Sequence, residues 1–387
     1  MNNPILETRK LGQSFWFDTL GRRLITSGEL RRMIERDGLR GVTSNPTIFE
    51  KAMVGTEDYD SDLQRLVASG IRDPKALYEG LAIADIQAAA DLFRPGYDES
   101  GGADGFVSLE VSPHLAHSTE DTVVEARRLF QAVARENVMI KVPGTAEGMP
   151  AIERLIAEGI NVNVTLLFGL DAYRACADAH IRGLERRVAG GGDVGRVAGV
   201  ASFFLSRIDV SVDKRLDALL GGNPGAQQRS VIERLRGKIA IANAKRAYAH
   251  YQEITASDRW RQLADRGARP QRVLWASTGT TNPAYSPTMY VDPLIGPETV
   301  NTVTAETYRA FLEGGRPRLT LSEGVTEAAE VIAGLSEVGI SLDEVTDELL
   351  EKGIDSFLAS FGKLLAALEE KQGQLLSTGA AGAHQGV

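Results

Sequence analysis

Cysteine is nearly absent from this chain. A single one, Cys176, stands among 387 residues, so no intramolecular disulfide can form and the fold must hold by burial. Long hydrophobic runs are missing too. No stretch of about 18 apolar residues exists, and the first ten residues lack the apolar core of a secretory signal, so a cytoplasmic chain without membrane attachment is expected. Positive charge is in deficit. Against 52 acidic residues stand 43 basic ones, a net charge of -9, which argues against general adhesion to nucleic acid or anionic membrane. An anionic ligand must therefore be held locally. There is no P-loop, no HExxH and no paired-cysteine motif, and His114 with His117 makes at most half of a metal site, so no metal or other cofactor is expected. Residues 190–195 match GxGxxG in form only. They follow a helical pattern and precede a strand, the reverse of the dinucleotide-binding order, and read as a loop. The glycosylation sequon Asn163-Val-Thr165 lies inside a predicted core strand and carries no weight.

What is present is a rhythm. Short β-rich apolar runs at residues 14–19, 41–44, 105–111, 138–142, 161–168, 199–205, 272–277 and, more weakly, 299–304 alternate with longer segments of helical spacing. Several are almost continuously apolar, as parallel strands covered on both faces must be. Between them, residues 119–134 put Val123, Ala126, Leu129, Phe130 and Val133 on one face, and residues 171–186 do the same with Ala175, Ala179 and Leu184. Forty glycines supply the tight connections. Two longer intervals, 47–104 and 209–270, each have room for two or three helices. Three helical patterns follow residue 304, one starting at Ser341 with Glu344 completing a capping box. No linker or fixed-period repeat divides the chain, so residues 1–375 read as one domain, and 376–387, rich in Gly and Ala, as a mobile tail.

Eight βα units fit either an open doubly wound sheet or a closed (β/α)8 TIM barrel. The first strand ends in Phe17-Asp-Thr-Leu-Gly21, with one glycine where a dinucleotide fold needs several, which favours the barrel with extra helical insertions and C-terminal helices. Barrel chemistry collects at the C-terminal ends of the strands. There the sequence places Asp18, Asn45, Glu110, Lys141, Asn163, Thr165, Ser202, Arg207 and Ser277. Singly, most have a plain structural explanation: Asn45 before Pro46 is a turn former, and Thr165 suits a strand. Lys141 differs. Set in the apolar run Val138-Met-Ile-Lys-Val142, its amine must snorkel to the rim, pair with a carboxylate, or lie desolvated. A free lysine, with a pKa of about 10.4, is a poor nucleophile at pH 7; desolvation favours the neutral amine, which can attack a carbonyl and form an iminium. The iminium stabilises the carbanion left by carbon–carbon cleavage without a metal. Glu110 and Asp18 could then divide the proton transfers.

The strings Phe17-Asp-Thr-Leu20, Thr43-Ser-Asn-Pro46, Ser108-Leu-Glu-Val-Ser112, Ile140-Lys-Val-Pro-Gly144 and Asn161-Val-Asn-Val-Thr-Leu-Leu167 resemble the transaldolase family in order and spacing. Residues 201–209, 274–279 and 290–302 resemble its longer bacterial subgroup. The resemblance implies a (β/α)8 barrel that transfers a dihydroxyacetone unit from fructose 6-phosphate or sedoheptulose 7-phosphate to an aldose phosphate, in the pentose phosphate pathway. It implies that Lys141 forms the Schiff base, that Asp18 takes the C4 hydroxyl proton, and that Glu110 works through a water positioned by Thr165. Asn45, Asn163 and Ser202 would bond the dihydroxyacetone hydroxyls, and Arg207, helped by Ser277, the phosphate. Phe204 matches an aromatic position where simple fructose 6-phosphate aldolases tend to carry Tyr, which favours transfer over release of dihydroxyacetone. One departure stands out: Thr278-Gly-Thr-Thr281 lacks the basic residue that many members carry there, so Arg207 acts with less cationic help or a lysine or arginine from elsewhere completes the site. Family members are often homodimers, an assembly the sequence itself does not specify. A Schiff-base aldolase that releases its product and a silent sugar-phosphate-binding protein are the competing readings.

Overall fold

The computed structural model describes residues 3–383, and side chains through residue 377. In chain order the elements are α1 (Pro4–Lys10), β1 (Gln13–Phe17), α2 (Arg22–Thr26), α3 (Glu29–Asp37), β2 (Gly41–Val42), α4 (Pro46–Met53), α5 (Asp60–Ala68), α6 (Pro74–Glu99), β3 (Phe106–Glu110), α7 (Thr119–Val133), β4 (Val138–Pro143), α8 (Gly148–Glu158), β5 (Val162–Leu167), α9 (Leu170–Ala189), β6 (Gly199–Phe204), α10 (Ser206–Gly221), α11 (Ala226–Leu235), α12 (Ile239–Ala256), α13 (Asp258–Ala264), β7 (Arg272–Ala276), β8 (Thr299–Val303), α14 (Ala305–Gly314), α15 (Val325–Glu337) and α16 (Leu342–Ala383). The eight strands form a closed parallel barrel in sequence order. Closure is made by β1 and β8, paired from Gln13↔Thr299 to Phe17↔Val303.

Alternation decides which side chains enter the barrel. Leu109, Ile140, Val142 and Val164 belong to the apolar core, while Ser108, Glu110, Lys141, Asn163 and Thr165 are the intervening polar residues. Register then sets their height. Glu110 pairs with Lys141, and Lys141 with Asn163, so three polar residues on three strands share one level. The register shifts between Val164 and Leu167, and Leu166 sits at φ +61°, a left-handed conformation that a non-glycine residue adopts at a cost.

All eight expected strands are present, within a residue or two of their expected ends. The helices hold the differences. Four helices, α10 to α13, fill the interval between β6 and β7 where two or three were expected; left-handed Asn223 before Pro224, left-handed Gly237, and Ser257, whose Oγ caps Trp260 N, divide them by single turns. Helix α1 was not foreseen; Asn3 caps it. Of the face expected for α9, Ala179 and Leu184 are buried and Ala175 is exposed; Tyr173, Cys176 and His180 complete the buried face. Phe130 packs only partly buried against the core. Ser341 Oγ does accept from Glu344 N at the start of α16. Regular structure was expected to end near residue 376, but α16 runs on to Ala383, through Gly379 and Gly382, since adding residues to a formed helix avoids the cost of nucleation. Residues 384–387 lie outside the described residues.

Helix α16 crosses the C-terminal face of the barrel. Phe361 packs edge-on against Tyr78 of α6, Ser360 Oγ meets Thr47 Oγ1 at 2.9 Å, and Lys371 reaches Asp60 and the Thr56 carbonyl. Gly353 gives room where it passes β5: a Cβ there would lie 2.8 Å from Leu166 Cδ2 and 3.5 Å from Arg207 Nη1, so the Leu166 side chain would have to shift. Among the described residues no helix is long and apolar enough to cross a membrane.

Candidate active site

A cavity of about 430 Å³ opens at the C-terminal mouth of the barrel. Asp18, Asn45, Lys141, Thr165, Ser202, Phe204, Arg207 and Ser277, eight of the ten residues singled out from the sequence, line it. Glu110 and Asn163 are fully buried beside them without lining it.

Lys141 is buried on β4. Its Nζ donates to the Ser44 carbonyl at 2.9 Å and lies 3.3 Å from Glu110 Oε2, so the amine is at once desolvated and paired with a carboxylate. Burial pushes the Glu110 carboxyl above its ordinary value; the Lys141 charge pulls it back, and Asp18 adds to the rise. Asp18, just past β1, is likewise raised by burial, against the lowering effects of Lys141, the Thr43 hydroxyl, Arg207 and Lys51. Thr43 Oγ1 donates to Asp18 Oδ1 at 2.5 Å and meets Thr302 Oγ1 at 2.7 Å. Two carboxyls thus flank one amine.

The polar wall is ordered by its own bonds. Ser202 Oγ donates to Asn163 Oδ1 at 2.7 Å, and Asn163 Nδ2 donates to Ser108 Oγ at 3.0 Å, so Asn163 orients Ser202 from behind. Asn45 Oδ1 accepts from Ile48 N at 2.9 Å as the cap of α4, which leaves its NH2 for the cavity. Thr165 Oγ1 is buried and has no hydrogen-bond partner among the described residues. Arg207, in the first turn of α10, stacks over the Phe204 ring at 5.5 Å, and no carboxylate among the described residues lies within its ion-pair reach. Burial lowers its pKa, with the Asp18 charge opposing. Ser277, held left-handed at φ +55°, shares a hydrogen bond with Ser206 Oγ at 2.8 Å. A helix N-terminus beside an unpaired guanidinium suits an anion.

Several lining residues were not singled out from the sequence. Thr43 and Ser206 sit beside recognised positions, and Thr302 ends the string 290–302; Phe357 comes from α16, and no local pattern says that a C-terminal helix returns to the mouth. The GxGxxG string is a loop between α9 and β6, as expected.

An amine, two carboxyls and a cation around one barrel mouth are the equipment of covalent carbonyl chemistry. The chain belongs to the transaldolase/fructose-6-phosphate aldolase family, which it matches over residues 15–368. It is 48% identical to a transaldolase of Trichodesmium erythraeum over 376 residues, 96% of this chain and 98% of that one. A transaldolase 2 of a Nostoc species is 48% identical over 372 residues, covering 95% and 97%. A transaldolase of Saccharopolyspora erythraea is 47% identical over 364 residues, covering 94% and 96%.

Proposed function

We propose that this enzyme transfers a dihydroxyacetone unit from a ketose phosphate to an aldose phosphate through a Schiff base on Lys141. The observation that carries the reading is the buried Lys141 amine 3.3 Å from Glu110, in a cavity that also holds Asp18 and an unpaired Arg207. Glu110 is placed to take the ammonium proton, freeing the amine to attack the C2 carbonyl; loss of water gives the iminium. Asp18 then takes the C4 hydroxyl proton, the C3–C4 bond breaks, and its electrons pass into the iminium as an enamine. The aldose phosphate departs. A second aldose phosphate enters, the enamine carbon attacks its carbonyl, and Asp18 returns the proton before water releases the product. Asn45 and Ser202 bond the dihydroxyacetone hydroxyls, Ser202 oriented by Asn163. Thr165, with its free hydroxyl, positions the water that Glu110 uses. Arg207 holds the phosphate, with Ser277 beside it. A cytoplasmic setting and a homodimer belong to the same reading.

Borohydride added with fructose 6-phosphate should trap a covalent adduct on Lys141 and abolish turnover, and Lys141→Ala should show neither adduct nor activity. An adduct elsewhere, or an active Lys141→Ala, overturns the mechanism. Transfer is separated from simple aldol release by turnover with and without erythrose 4-phosphate, where transfer requires the acceptor.

A further inference from the structure

A second cavity of about 610 Å³ adjoins the first, and Asp18, Asn45, Arg207, Thr304, Glu306 and Phe357 line both. Its outer wall is one face of α4. Thr47, Ile48, Lys51 and Ala52, at the three- and four-residue spacings that share a helix face, all line it. That face is fixed at the start of the helix, by the Asn45 cap and by the bond from Thr47 to Ser360 of α16.

Five cations line the two cavities. Lys141 is engaged with Glu110, Arg22 with Asp62 and Asp85, and Arg23 with Asp58. Of these five, only Arg207 and Lys51 have no carboxylate among the described residues within ion-pair distance. A phosphate monoester carries about two negative charges at pH 7, more than one guanidinium neutralises. Glu306, an exposed carboxylate on the α14 side of the shared rim, repels such a group toward the α4 wall.

We propose that Lys51 is the second cation of the phosphate site, and that with Arg207 it holds the sugar phosphate at the rim where the two cavities meet. The assignment rests on the sugar-phosphate reading above and supplies the positive charge missing from the segment after Ser277. Lys51 is exposed, so its replacement leaves the core intact.

The test compares erythrose 4-phosphate with unphosphorylated glyceraldehyde as acceptors, at saturating fructose 6-phosphate, in the wild type, Lys51→Met and Lys51→Arg. Removing one charge-assisted contact should raise KM for erythrose 4-phosphate, and Ki for inorganic phosphate as competitor, by about tenfold in Lys51→Met. Its kcat and its KM for glyceraldehyde should stay near wild type, and Lys51→Arg should restore most of the loss. Equal increases for the two acceptors, or none, overturn the assignment. Borohydride trapping on wild-type Lys141 separates the two levels: no adduct removes the sugar-phosphate reading and Lys51's role with it, whereas an adduct with an unmoved KM removes the Lys51 assignment alone.

Discussion

At the scale of single residues, the site works by opposing burial with charge. Asp18 must be ionised to accept a proton, and burial works against that; the Thr43 hydroxyl, donating at 2.5 Å, favours the ionised form. Thr43→Val removes that donor. The acidic limb of the kcat/KM profile should therefore move to higher pH, because a carboxyl whose pKa rises needs more alkaline conditions to ionise. Thr302→Val, which touches Thr43 rather than the carboxylate, should move it less. Parallel, unshifted limbs in the two variants would remove Asp18 as the group that sets the profile. Much of this was legible in the sequence, because inward positions at the ends of parallel strands must converge on the mouth once the barrel closes. What was not legible is the state of each group. The apolar run around Lys141 left its amine to snorkel, pair with a carboxylate or lie desolvated; that it is buried 3.3 Å from Glu110 depends on the register between β3 and β4, which no local pattern contains. The register between β5 and β6 sets Asn163 behind Ser202, as its support.

At the scale of elements, the strands were readable because continuous apolar runs between polar stops leave few alternatives. The helices between β6 and β7 were less so, since single-turn breaks vanish in the windows that periodicity needs. One carboxylate ties two of them together. Asp209 of α10 accepts from Ala240 N in α12 at 2.8 Å and from the Tyr290 hydroxyl, between β7 and β8, at 2.9 Å. Burial raises its pKa from 3.8 to about 6, with those two hydrogen bonds opposing. The folded state thus binds its proton more tightly than the unfolded chain. Its stabilising contribution is full below pH 4 and is lost as pH rises through about 6, amounting to about 3 kcal/mol at 1.36 kcal/mol per pKa unit. Urea unfolding between pH 4 and 7 should show this decline in the wild type and a shallower one in Asp209→Asn, where the raised Asp18 and Glu110 carboxyls still contribute. Curves of the same slope would mean that the carboxyl does not titrate in this interval.

At the scale of the whole molecule, the chain closes its own reaction site. Charge is the first reason this matters: with a net charge of -9 the surface as a whole does not attract phosphates, and the mouth, with Arg207 and Lys51, offers them unpaired cations. Closure is the second. The three C-terminal helices were readable from sequence as additions, yet periodicity tells which face of a helix is apolar and not what that face covers. Helix α16 lays Phe357 on the rim shared by the two cavities and Phe361 against Tyr78, with Lys371 tied to Asp60 at the far end. A transferase must keep water from the enamine while it waits for an acceptor, whereas an aldolase need not. Phe357 is a large apolar side chain that lines both cavities. Phe357→Ala should therefore admit water, raising acceptor-independent release of dihydroxyacetone several-fold relative to transfer to erythrose 4-phosphate, while borohydride still traps the adduct on Lys141. An unchanged ratio of release to transfer would mean that α16 contributes stability but not the choice between the two reactions, and that the choice lies with the residues of the barrel wall, beginning with Phe204.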